Sequence, residues 1–277
     1  MLEIPESNVI AKQLDKTIKG KTIKAAKANS SPHKFTFYFG EPQKYASLLK
    51  DRTIEYAKAY GGIIELTAGN VKIYFQDGVN ARYIEKDGKI PEKNQLFIRF
   101  DDMSALVCTV QMYGMIGVFK DGENDGNKYY KTAKESVPVL SKAFNKPYFL
   151  SIFNKADKKL SSKAFLATQQ RIPGLGNGVL QDILFNASIH PKTKLEKLKN
   201  PDITSMFDSL KNTLNNMTAN GGRDTEKNLF GNKGGYCAFL SKNTVNTPCK
   251  KCGTLIKKEA YLGGSIYFCP KCQKEAK

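Results

Sequence analysis

The spacing of apolar residues divides the chain into stretches of different character. Residues 3–19 place Val9, Ile10, Leu14 and Ile18 at helical intervals, and Gly20 marks the stop. From Thr22 to about Lys120 the pattern is that of strands. KFTFYFG, GGIIELTAGNVKIYFQDG and NQLFIRFDDMSALVCTVQMYG alternate or run apolar between Gly, Asn and Asp turns. An antiparallel β-sandwich capped by the N-terminal helix is expected. Residues 121–137 (DGENDGNKYYKTAKESV) are polar and read as a hinge or linker. Beyond Pro138 helical spacing returns in SSKAFLATQQ, NGVLQDILFNA and ITSMFDSLKNTLNNMTA. The chain then closes with TLIKKEAYLGGSIYF, two strands about Leu262-Gly263-Gly264. The expected class is α+β, with a sandwich over 1–120, a linker over 121–137, a helical unit over 138–235 and a small hairpin module over 236–277. No internal repeat or low-complexity segment interrupts this order.

The hairpin has a chemical reason to exist. Four of the six cysteines, Cys249, Cys252, Cys269 and Cys272, form two C-x-x-C knuckles on either side of it. Two such knuckles bring four thiolates into a tetrahedron suited to one structural Zn²⁺ with no open position, and the metal lets a very small module fold without a sizeable core. Two disulfides or a redox pair are the alternatives, and a reducing compartment argues against them. Cys108, in ALVCTV, and Cys237, in GGYCAFL, read as core thiols.

Charge changes the picture next. The chain has 277 residues, with 44 Lys and Arg against 26 Asp and Glu, a formal net charge of +18 spread along its length. Such an excess implies a polyanionic partner, which could be DNA, RNA or an anionic membrane surface. The bland explanation is a lysine-rich composition without function. No stretch is apolar enough to span a bilayer and the N-terminus lacks a signal pattern, so a cytoplasmic protein with no membrane partner is expected.

One turn asks for an explanation. In QQRIPGLGNGVLQDILFNASIHP (169–191), Gly-Leu-Gly-Asn-Gly stands directly before an amphipathic run. Glycines serve an ordinary helix–turn–helix corner. They also let backbone N–H groups and Asn177 approach a phosphate with a helix N-terminus behind them. A basic sandwich and a basic helical unit would leave a cleft in which a duplex could lie.

Taken together, MLEIPE at the start, QQRIPGLGNGVLQDILFNASIHP, NMTANGGRDTEKNLFGNKGGY and the four cysteines resemble the formamidopyrimidine-DNA glycosylase and endonuclease VIII family, in order along the whole chain. The resemblance implies a helix–two-turn–helix unit, a zinc finger and base-excision repair of damaged or double-stranded DNA, near the nucleoid. It implies eversion of the damaged nucleotide, attack on C1′ by an N-terminal proline amine, and proton transfer by the adjacent glutamate. Carried onto this chain, Glu3 is the acid–base residue, and Gly174, Gly176 and Asn177 grip the DNA backbone. A clamp with one cleft needs no second subunit, so a monomer is expected.

The chain departs from the family pattern at the chemistry itself. The nucleophile position is Leu2, which leaves the Met1 terminal amine one residue further out. The strand position where relatives have a lysine holds Tyr60, with Lys58 two residues back. The hairpin-tip position of an arginine, five residues before the third cysteine, is Gly264. Gln111-Met112-Tyr113-Gly114 stands where relatives have arginines and phenylalanine; Met112 and Tyr113 are either wedges between base steps or ordinary strand residues. Glu3 alone has an innocent role too, at the positive end of the first helix. His190, in Ile-His-Pro, reads as a loop stabiliser. A glycosylase with altered chemistry, removing oxidised bases with or without cutting the strand, is the expected function. A noncatalytic reader of lesions or structured nucleic acid that kept the clamp is the alternative, and a protein-interaction module a distant third.

Overall fold

The computed structural model describes residues 2–123 and 127–276. Helix α1 (Ile4–Ile18) starts with Pro5 in its first turn and turns Ile10, Leu14 and Ile18 inward. It ends at Gly20, whose φ of +81° closes the helix.

The strands that follow are β1 (Ile23–Ala28), β2 (Thr36–Phe39), β3 (Tyr56–Tyr60), β4 (Ile63–Ala68), β5 (Val71–Ile84), β6 (Leu96–Phe100) and β7 (Ala105–Lys120), with a short helix α2 (Tyr45–Leu49) after β2. Hydrogen bonds join them into one seven-stranded sheet ordered β1-β6-β7-β5-β4-β3, with β2 added to β7. Strands β5 and β7 are long enough to belong to both of its halves. Val71–Asp77 pairs with Gly114–Lys120, Val79–Ile84 pairs with Ala105–Val110, and a bulge lies between Asp77 and Val79. Gly78 is required there, because a Cβ would lie 2.5 Å from the carbonyl oxygen of Tyr113. The two halves share one core. Ile64, Leu66 and Phe75 of one meet Ile98, Leu106 and Cys108 of the other, and Ile10, Leu14 and Ile18 of α1 belong to the same cluster. This is the expected sandwich, made from a single sheet.

One pairing departs from the antiparallel expectation. Strand β2 runs parallel to β7, with Thr36 opposite Gly114. The chain leaves β1 on one edge of the sheet and reaches β7 by a crossover, where a hairpin would have produced an antiparallel pair.

The stretch read as a linker holds a helix, α3 (Lys128–Glu135), capped by the Asn127 side chain accepting from the Tyr130 N–H. Its buried face consists of Tyr130 and Ala133, too few apolar positions for periodicity to detect. Tyr130 packs against Tyr74 and Phe119 and donates its hydroxyl to the fully buried Glu65. Lys134, one turn on, pairs with the same carboxylate at 3.0 Å.

Helices α4 (Lys146–Lys155), α5 (Ser162–Ala167), α6 (Asn177–Asn186) and α7 (Asn200–Ala219) enclose a second core of Phe149, Phe165, Ile183, Leu184, Leu210 and Leu214. Ile4 belongs to this cluster while Ile10 belongs to the sandwich, so α1 bolts the two cores together. The chain finishes with the hairpin of β8 (Lys257–Tyr261) and β9 (Gly264–Phe268), turned by Leu262 and Gly263. Cys108 is buried as expected, whereas Cys237 is exposed. Its neighbour Tyr236 takes the inward position and donates to Asp182, which turns Cys237 outward. Among the described residues no helix is long and apolar enough to cross a membrane.

Replacing Tyr130 by Phe should leave Glu65 buried with one partner fewer and cost about 1–3 kcal/mol. Urea unfolding measures this, and an unchanged midpoint would contradict the anchoring of α3 through Glu65.

Candidate active site and nucleic-acid interface

Glu3 ends up far from solvent. It is 3% exposed, and its carboxylate lies against the N-terminus of α6. The Gly178 N–H donates to Oε1 at 2.9 Å and the Val179 N–H to Oε2 at 2.7 Å. The residue at the N-cap, Gly176, has no side chain to satisfy these amides. Glu3 therefore caps α6 across 175 residues of chain, with its negative charge at the positive end of the dipole. The anion at this helix N-terminus is the protein's own. Burial, with the neighbouring Glu6 adding, pushes the Glu3 carboxyl above its ordinary pKa, against the opposing pull of Arg223 and the two amides.

This contact explains Gly176, and a second turn packed against it explains Gly174. A Cβ on Gly176 would lie 2.6 Å from Glu3 Oε1, and one on Gly174 would lie 2.0 Å from the Gly62 nitrogen. The turn after β3, Gly61-Gly62, is thus pressed against Pro173-Gly174, and the carbonyl of Gly174 accepts from the Ile4 N–H at 3.0 Å. Both readings of the turn are partly realised: it is a corner, and it presents amides to an anion.

The Leu2 side chain is buried, and its backbone N–H donates to the Asp77 carbonyl at 2.7 Å. Asp77 faces Gly114 across the sheet, so Leu2 reaches the bulge opposite which the exposed Met112 (61%) and Tyr113 (51%) lie in β7. Met1 lies outside the described residues. Asn177, at the first turn of α6, donates its amide to the Ser265 carbonyl at 2.9 Å, while its buried Oδ1 has no partner. The hairpin tip is close by, with the Cβ direction of Gly264 ending 3.8 Å from Asn177 Nδ2.

Three cations that sequence reasoning did not single out stand around these positions. The Lys134 ammonium lies 4.7 Å from the ring centroid of half-buried Tyr60. The ammonium of buried Lys163 lies 3.5 Å from the Cβ direction of Gly264 and donates to the Tyr261 carbonyl at 2.6 Å. Arg223, in the loop after α7, pairs with Glu6 at 2.8 Å and lies 3.6 Å from Glu3. Each approaches from an element distant in sequence, so no local motif could have revealed it. A cavity of about 260 Å³ beside Arg223 is bordered by Gly178, Gln181, Leu240 and Tyr267.

The cysteines meet as the knuckle spacing predicts. All four Sγ atoms lie within 4.8 Å of one another, with Cys252–Cys269 at 3.4 Å and Cys249–Cys272 at 3.9 Å. Thiolates about 2.3 Å from one ion form a tetrahedron with edges of about 3.8 Å, whereas a disulfide requires about 2.05 Å. The set can hold one metal ion. The hairpin is fastened to α6 by Gln181, whose side chain donates to the Ser265 carbonyl and accepts from the Tyr267 N–H. His190, with its pKa lowered by burial, packs its ring 4.4 Å from that of Phe268 and steadies the same junction.

A helical turn capped in trans by an N-terminal glutamate, with a four-cysteine hairpin docked beside it, defines the class of helix–two-turn–helix proteins with a C-terminal metal-binding hairpin. The model of the formamidopyrimidine-DNA glycosylase H2TH domain matches residues 136–228. The sequence is 26% identical over 285 residues to the formamidopyrimidine-DNA glycosylase of Bacillus subtilis (strain 168), covering 99% of each chain. It is 26% identical over 281 residues to that of Streptococcus thermophilus (strain CNRZ 1066), covering 99% of this chain and 100% of the relative. Among solved structures, Lactococcus lactis Fpg in complex with DNA containing an abasic site shares the fold with a TM-score of 0.83 at 22% identity, covering 99% of this chain and 100% of that one. The MutM (Fpg) protein of Thermus thermophilus gives 0.82 at 18%, with the same coverage. The chain is thus similar over its full length to formamidopyrimidine-DNA glycosylases, and its residues 136–228 carry their H2TH domain.

Metal analysis of purified protein should find one ion per chain. Chelation or Cys269→Ser should release the hairpin from α6, seen as loss of amide-exchange protection at Tyr267. Protection indifferent to the metal would contradict a metal-built module.

Proposed function

We propose that the protein is a DNA glycosylase that removes an oxidised base from duplex DNA, with Glu3 directing water at C1′. The observation that carries this reading is the placement of Glu3, a carboxylate fixed at the junction of both cores beside the N-terminal segment. A glycosidic carbon inside the stack is out of reach, so the nucleotide must be everted. Exposed Met112 and Tyr113, at the bulge that also receives Leu2, suit the role of wedges that fill the vacated space. The net charge of +18 suits a phosphate backbone. The names of the curated relatives, and the damaged DNA held by the Lactococcus lactis structures, support the same substrate class.

Hydrolysis fits this chain better than imine chemistry. The Leu2 nitrogen, at the position where relatives have the nucleophile, is an amide donating to Asp77 and cannot itself form an imine. The C1′–N bond breaks with its electron pair going to the base, which takes up a proton. As positive charge develops on the sugar, an ionised carboxylate stabilises it and accepts a proton from the water that bonds to C1′. Cys249, Cys252, Cys269 and Cys272 would hold Zn²⁺, which has no reaction to perform there and keeps the hairpin beside Asn177. The proposed site draws all its residues from one chain, so the working unit we propose is a monomer in the compartment that holds the DNA.

A second reading has its own observation. Both oxygens of Glu3 are engaged and the residue is buried, which suits a protein that binds lesions without processing them. The deciding experiment incubates the protein with duplexes carrying an oxidised base or an abasic site, with borohydride in half the samples. Base release without a trapped adduct is expected. A borohydride-trapped adduct with strand cleavage would overturn hydrolysis in favour of an amine nucleophile. Lesion-selective binding with neither would establish the second reading.

A further inference from the structure

Arg223 is 3% exposed, a rare position for an arginine without a purpose. Its Nε and Nη2 donate to the two oxygens of Glu6 at 2.9 and 2.8 Å, and its own backbone N–H donates to Glu6 at 3.2 Å. The remaining nitrogen, Nη1, is 3.6 Å from Glu3 Oε2.

The backbone on both sides is cleared to deliver this one guanidinium. Gly221 and Gly222 adopt φ of +74° and +96°. The Tyr236 N–H donates to the Gly222 carbonyl at 3.0 Å, and the Gly234 N–H to the Arg223 carbonyl at 3.2 Å. A Cβ on Gly234 would lie 2.1 Å from the Gly222 carbonyl carbon, so a larger residue would push the loop away. From the opposite side, a Cβ on Gly178 would lie 1.8 Å from Nη1 itself. A glycine at 178 is thus needed for Arg223 to reach Glu3.

An arginine that merely neutralised Glu6 would have no use for that passage, since its fork is complete without Nη1. We propose that Arg223 is a positioning residue that acts through Glu3, setting a cation 3.6 Å from Oε2, the oxygen that also accepts from the Val179 N–H. The assignment rests on the reading of Glu3 as the group that directs water. It also gives the glycine at 178 a role distinct from those at 174 and 176, which make room for the Gly61-Gly62 turn and for the Glu3 side chain.

The charged groups around the pair come from every element packed against it. Glu6 is on α1, Asp182 lies one turn along α6, and Glu226 is on the loop of Arg223 itself. Arg82 of β5 and Lys227 line a small cavity with Leu2 and Glu6. Burial drives the Glu3 carboxyl upward, and Arg223 is the largest influence restraining it, stronger than the opposing push from Glu6. Loss of Arg223 therefore moves the carboxyl further up. If the ionised form works as base, the acidic limb of the rate profile moves to higher pH with it.

The experiment compares the wild type with Arg223→Lys, Arg223→Met and the double variant Arg223→Met/Glu6→Gln. The double variant removes the buried pair as a unit, which is far less damaging than removing one partner. Two quantities are read on each folded variant. One is the pH profile of base release; the other is the ¹³C carboxyl titration of Glu3, assigned by its absence in Glu3→Gln. Arg223→Met is expected to raise both midpoints by about one pH unit or more. The double variant should give a smaller rise in the same direction, and Arg223→Lys should stay near wild type. Superimposable titrations in wild type and a folded double variant would overturn the inference. If the wild type releases no base, the proposed hydrolysis fails on its own account, and the carboxyl titration still decides the role of Arg223.

Discussion

A carboxylate at the start of a helix organises this molecule. Glu3 satisfies two amides of α6 that the glycine at the N-cap leaves without a side-chain acceptor, and in doing so joins the two cores. The backbone around that contact is packed closely enough that several positions tolerate only glycine. The turn before α6 is stripped of side chains at 174, 176 and 178, the β3–β4 turn is Gly61-Gly62, and the loop after α7 bends at Gly221 and Gly222. A cap contributes about 1–2 kcal/mol in an ordinary helix. Here the same contact also fixes the residue that we propose directs water.

The second theme is positive charge supplied from unexpected places. Tyr60 and Gly264 occupy positions where the family resemblance leads one to look for a lysine and an arginine. Beside them stand Lys134, from a helix beyond β7, and Lys163, from the first turn of α5. Neither is a direct replacement. Lys134 is paired with buried Glu65, and burial lowers the pKa of Lys163. What these lysines share with Arg223 is that their charge reaches the site across the fold. The hydrolysis we propose does not need cations arranged around an imine. Around Glu3 the cation is Arg223, which opposes the upward push of burial on the carboxyl.

Much of this was legible in the sequence, and the boundary has physical causes. Strong periodicity marked α1, α6 and α7, and alternating apolar runs marked β4 to β7, because each of these elements buries a full face. Helix α3 was hidden because Tyr130 and Ala133 are its only buried residues. The parallel placement of β2 depends on where a crossover lands, which no local pattern encodes. The cysteine cluster was readable because its spacing is its chemistry. Glu3 was readable by resemblance, yet its role as a cap for a helix 175 residues away was not. Arg223 lay in plain view in GGRDTEK and carried no signal, since its meaning comes from Glu6, Glu3 and Gly178 arriving from two other helices.

The most direct test of the account separates the two duties of Glu3. Glu3→Gln keeps the length of the side chain and one acceptor oxygen for the α6 amides but removes the charge. Single-turnover base release and the affinity for abasic-site duplex are measured on the same folded preparation. The account predicts release slowed by about a hundredfold or more, with affinity within a few-fold of wild type. Release at the wild-type rate would show that Glu3 holds the fold together and leaves the chemistry to another group.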